Sequence, residues 1–128
     1  MRVNAVLTIT AGTPINLAVA LGIAPNGAAL AAMKPIPVNR WFAQMLTGGP
    51  GLGYVMDLEN FAAGTQANAA TQGHLIAQLA PASAQAPGGS YGDGIAGIPG
   101  GGPADLTKLW IDGNHTGDTM AISVSLRV

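Results

Sequence analysis

The 128-residue chain has no cysteine, 9% charged residues and 5% aromatics. Lack of cysteine excludes a disulfide framework, a thiolate metal centre and a cysteine nucleophile, and it leaves the redox compartment unmarked. Charge is scarce and balanced, with five Lys and Arg against six Asp and Glu, a formal −1. The basic residues Arg2, Lys34, Arg40, Lys108 and Arg127 stand singly. With no cationic stripe to follow a phosphate backbone, direct nucleic-acid binding is not expected. Long hydrophobic runs are missing too. Thr8, Thr10, Gly12, Pro14 and Asn16 interrupt the uncharged stretch from Val3 to Met33. It therefore reads neither as a signal-peptide core nor as a membrane span.

Small residues and turn formers are plentiful: 19 Gly, 9 Pro and 23 Ala. Gly and Pro together make 28 of the 128 residues, too many for a helical bundle and without the three-residue period of collagen. Low charge beside 48% apolar residues also opposes a disordered chain. The length suits one domain spanning residues 1–128. Alanine supplies much of the apolar fraction, so the core is small, and support from an oligomer or a larger surface is expected.

Alternation of apolar and polar residues predicts strands. From Arg2 to Thr10, the residues Val3, Ala5, Leu7 and Ile9 face one way. Ala11-Gly12-Thr13-Pro14 turns the chain, and Ile15 to Leu21 is a second candidate strand ended by Gly22. Ala28 to Met33 fits either a helical turn or an extended loop. Val38 to Leu46 reads as a central strand, with Val38, Arg40, Phe42, Gln44 and Leu46 on one face and Asn39, Trp41, Ala43 and Met45 on the other. Gly48 to Gly51 is a tight connection into a strand from Leu52 to Leu58, a β-hairpin signature. Glu59 to Gly73 reads as a long loop, and His74 to Leu79 as another strand. The Gly/Pro-rich stretch Pro81 to Pro103 is too long for an ordinary turn. Leu106 to Ile111 and Thr119 to Arg127 close the series, the latter with Met120, Ile122, Val124 and Leu126 inward. About seven short strands with turns between them predict an all-β, antiparallel β-sandwich of jelly-roll type with long Gly/Pro/Ala-rich loops. A closed barrel is the rival.

Chemistry is thinly represented. His74 and His115 are the only histidines, and neither sits in a spaced ligand motif. Asp112 and Asp118 flank His115, and a polar hairpin tip held by local Asx-type bonds accounts for these residues more simply than a cation site. The DGNHTGD stretch lacks the closing Glu of a calcium loop. Gly49-Pro50-Gly51-Leu52-Gly53 carries no phosphate-binding pattern, and the Asn114-His115-Thr116 sequon is a chance match. Asp57 and Glu59 read as a solvated strand end rather than an acid/base pair, and no serine sits in a nucleophile elbow. Trp41 and Trp110 lie in strands as core or interface anchors, and glycine-flanked Tyr91 suits an interface better than Tyr54. No enzymatic activity, cofactor or metal is expected.

Three stretches carry a resemblance: Gly12-Thr13-Pro14-Ile15-Asn16-Leu17, the run WFAQMLTGGPGLGYVMDL from Trp41 to Leu58, and DLTKLWIDGNHTGDTMAISVSL from Asp105 to Leu126. Together they resemble small virion proteins of tailed bacteriophages, most closely the capsid decoration, or cement, proteins. The resemblance covers roughly a third of the chain, and its most specific part is the Leu109 to Asp118 hairpin signature. It implies a protein of the virion, assembled in the host cytoplasm, that binds the capsid exterior and bridges major capsid subunits, often as a homotrimer. It assigns no catalytic residues and no membrane partner. Candidate capsid or subunit contacts are Arg2, Val3, Asn4, Ala5 and Val6 at the N-terminus, and Pro87, Tyr91, Ile95, Ile98 and Pro103 in the Gly/Pro-rich loop at about 81–103. The alternatives are a tail, fibre or spike component of the virion, and a carbohydrate-binding β-sandwich, which the low aromatic content opposes.

Overall fold

A computed structural model describes residues 1–25, 33–46, 50–57, 74–82, 88–91 and 105–126. The strands are β1 (Arg2–Thr8), β2 (Ile15–Asn16), β3 (Val38–Met45), β4 (Gly53–Asp57), β5 (His74–Leu79), β6 (Ser90–Tyr91), β7 (Leu109–Gly113) and β8 (Thr119–Leu126). One short helix, α1 (Leu17–Ala20), follows β2, and a 3-10 turn at Leu106–Lys108 leads into β7.

Two four-stranded antiparallel sheets are formed, in the orders β1-β8-β3-β6 and β2-β7-β4-β5. The pairs β1·β8, β2·β7, β3·β6 and β4·β5 make a folded ribbon of four rungs. Contacts β3·β8 and β4·β7 close that ribbon into two sheets. This is the jelly-roll arrangement, and the open sandwich replaces the rival closed barrel. Alternation drives it: β8 buries Met120, Ile122, Val124 and Leu126, and these meet Trp41, Ala43 and Met45 of β3 and Val55, Leu109 and Ile111 of the facing sheet.

Several sequence expectations change. Ile15 to Leu21 is a strand only as far as Asn16. Asn16 caps α1, its Oδ1 accepting from the Val19 N–H at 3.2 Å while its Nδ2 donates to the Thr107 carbonyl at 2.8 Å. Both polar functions of this buried side chain are thereby used, and Gly22, at φ +75°, ends the turn. In β3 a register shift between Val38 and Arg40 turns Val38 inward with Trp41, rather than outward with Arg40. The two hairpin signatures, β3–β4 and β7–β8, are crossings between sheets, because β3 and β8 belong to one sheet and β4 and β7 to the other. Within 81–103, read as one loop, β6 pairs with β3. The readings of Ala28 to Met33 and Glu59 to Gly73 fall largely or wholly outside the described residues.

Strand direction alternates along the chain, so the ends of β1, β3, β5 and β7 and the starts of β2, β4, β6 and β8 share one end of the sandwich. The strand ends bounding 58–73 and 92–104 face the other end, together with the start of β1 and the end of β8.

Candidate interaction surface

At the short-loop end, the β7–β8 loop is tied to its neighbours. Asp118 is buried, and its Oδ2 accepts from the Gly51 N–H at 2.8 Å while its Oδ1 meets His115 Nδ1 at 2.8 Å. Asn114 Oδ1 accepts from the Leu52 N–H at 2.8 Å, and the Asn114 N–H donates to the Leu52 carbonyl at 3.2 Å. Thr116 Oγ1 accepts from the Ala11 N–H at 3.0 Å, and the Gly117 N–H donates to the Ile9 carbonyl at 2.9 Å. Apart from the His115–Asp118 contact inside the loop, these bonds run between loops, so the tip is held by a cross-loop clasp in addition to the local bonding that its sequence suggests. Gly51 is necessary to the close approach: a Cβ there would lie 2.5 Å from His115 Cβ and 2.6 Å from Asp118 Oδ2. Among the described residues, no three His, Asp or Glu side chains converge as metal ligands.

Asp112 lies near the end of β7, just before this loop, and is fully buried. Its Oδ1 accepts from the Gly113 N–H at 2.8 Å, the Gly12 amide also faces the carboxylate, and Oδ2 has no hydrogen-bond partner. Burial disfavours the charge more than the two amides favour it, and the pKa rises to about 6. From its sequence Asp112 reads as part of a turn; the structure sets it in β7 with the Gly12 amide of the β1–β2 connection against it.

At the opposite extreme of exposure is β1. It is an edge strand, paired along its whole length with β8 from Arg2 opposite Ser125 to Thr8 opposite Thr119, without a bulge. Arg2, Asn4, Val6 and Thr8 are exposed, and Val3, Ala5 and Leu7 are half-buried, whereas the inward residues of β8 are buried. The exposed large hydrophobic residues among those described are Met1, at 61%, and Val6, at 62%, both at this edge.

Backbone direction at the edge follows from the strand's ends. Met1 and Leu126 exchange two bonds, at 2.7 and 3.3 Å, and the Ile9 N–H donates to the Asp118 carbonyl at 2.7 Å. Both pairs keep the β1·β8 register, and hydrogen-bonded pairs alternate in an antiparallel ladder. Val3, Ala5 and Leu7 therefore bond to β8. Arg2, Asn4, Val6 and Thr8 turn their N–H and C=O groups toward the free edge.

Of the contact residues expected from sequence, Arg2 to Val6 thus lie together on the edge strand β1, with Arg2, Asn4 and Val6 exposed and Val3 and Ala5 half-buried. Tyr91 lies in β6, opposite Ala43 at the other edge of the same sheet. Pro87, Ile95, Ile98 and Pro103 lie outside the described residues. Trp41 is a core residue, and Trp110 is half-buried. Among the described residues no helix is long and apolar enough to cross a membrane.

Fold and surface together define the class: among the described residues, an eight-stranded jelly-roll sandwich in which β1 is a regular edge strand with no further strand beside it. No family model, no curated protein and no solved structure matches the chain.

Proposed function

We propose that the protein is a structural component of a phage virion, binding the capsid exterior and bridging major capsid subunits. The observation that supports this best is the β1 edge. In the segment Arg2 to Val6, expected from the sequence to make capsid or subunit contacts, Arg2, Asn4 and Val6 are exposed, and their backbone groups turn away from β8 with no partner among the described residues. Such an edge favours assembly over solitary existence, because free strand edges template association. The clasped loop end adds a rigid body on which a contact surface can be held. The fold alone does not carry the reading, since jelly rolls serve in capsids, lectins and enzymes alike. In this role, many modest contacts repeated over a shell lattice would act together through avidity.

The test is the copy number of this chain in purified particles from its source, relative to the major shell protein. Near-stoichiometric abundance supports a decoration role. A few to a few dozen copies per particle would move it to a tail or vertex, and absence from particles would remove the virion reading. The resemblance implies a trimer, and the edge geometry suggests a different symmetry.

A further inference from the structure

Among the described residues four strands bound the two sheets, and two of them carry devices that blunt an edge. β2 is two residues long, and the pairing of β5 with β4 is irregular between Val55 and Met56. By contrast β1 is seven residues long, regular, and free of Pro and Gly, with Arg2 as its one charged side chain. A strand of this kind is unusual on the surface of a protein that stays single.

We infer that β1 pairs antiparallel with β1 of a second copy of this chain, making one continuous eight-stranded sheet across a two-fold axis. The argument for a second copy is self-complementarity. The free backbone groups belong to residues 2, 4, 6 and 8, so only even residues can form the hydrogen-bonded pairs of the new ladder. Centring the axis on Ala5 sets Arg2 opposite Thr8 and Asn4 opposite Val6 of the second copy, and the reverse. All seven residues then overlap, whereas a slip of two residues loses pairs at one end of each strand. No like charges face each other, since Arg2 lies across from Thr8. On the inward side Val3 meets Leu7 of the second copy and Ala5 meets Ala5, so the half-buried residues of β1 join two cores. The arrangement is isologous and closed, leaving β1 no edge on which a fibre could grow.

The dimer takes up the backbone edge of β1, so a capsid contact by this segment would fall to its exposed side chains Arg2, Asn4, Val6 and Thr8; copy number in particles does not bear on the pairing itself. It is tested on the purified full-length chain by light scattering coupled to gel filtration, with two variants. Asn4→Pro removes an N–H that points away from β8, so the β1·β8 ladder and the fold survive while the new ladder is blocked. Val6→Lys keeps the backbone and sets the two lysines diagonally across the axis from each other, each also diagonal to Arg2 of the other copy. The expected result is a wild-type mass twice the 12.7 kDa of one chain, with both variants at 12.7 kDa and wild-type circular dichroism. Amide exchange supplies a second readout: Asn4, Val6 and Thr8 are protected in wild type and exchange rapidly in Val6→Lys, while Val3, Ala5 and Leu7 stay protected in both. A wild-type monomer at every soluble concentration, a trimer, or a dimer that persists in the folded variants would overturn the proposal. Should Asn4→Pro fail to fold, Val6→Lys decides alone.

Discussion

Asp112 shows how one buried carboxyl makes stability depend on pH. Its pKa is about 6 in the folded protein, against 3.8 for the ordinary group. The folded state thus holds the proton more tightly than the unfolded chain does. The group's contribution is fully favourable below pH 3.8 and is lost as pH rises through about 6. The loss approaches about 3 kcal/mol for a shift of this size. Asp112→Asn keeps the Oδ1 acceptor and cannot ionise. Denaturant unfolding of both proteins from pH 4 to 8 is expected to give a difference that shifts in favour of the variant by about 2–3 kcal/mol. A difference that does not change with pH would show that the carboxyl titrates normally. From the sequence, Asp112 reads as one polar residue of a turn; its environment comes from Gly12, a hundred positions earlier.

At the scale of elements, the loops are as specific as the strands. The β3–β4 and β7–β8 connections each look like hairpin turns because glycine and aspartate punctuate them. They instead carry the chain from one sheet to the other and clasp each other through Asp118, Asn114 and the Gly51 and Leu52 amides. Glycine at position 51 therefore serves packing: the nearest groups to a Cβ would be His115 Cβ, Asp118 Oδ2 and Asn114 Oδ1, at 2.5, 2.6 and 2.8 Å. Gly51→Ala is expected to lower stability by about 1–3 kcal/mol, read by thermal or chemical unfolding. A change within about 0.5 kcal/mol would mean that the clasp yields freely. The strands themselves were largely legible, since β1, β3 and β8 follow their alternation to within a residue or two and β5 has the expected bounds. The exceptions have local causes: the Asn16 cap that starts α1, and the register shift that turns Val38 inward.

For the whole molecule, the jelly roll joins the ends of the chain. Arg2 lies opposite Ser125 and Ile15 opposite Ile111, and only β4 and β5 pair as consecutive strands. Ordering such remote partners requires closing long loops before the contacts stabilise anything. Refolding is accordingly expected on the millisecond-to-second scale of all-β domains, in stopped-flow fluorescence of buried Trp41. A microsecond phase carrying the full amplitude would contradict that topology. The sequence by itself determined the class: alternation, turn residues and scarce charge specify short half-buried strands and two faces. Tertiary structure alone decided which strands pair, why Asp112 is buried, and that β1 is an edge whose even residues present their backbone outward. The reason is physical: a strand's period of two tells which side chains face the core but is silent on which strand lies beside it.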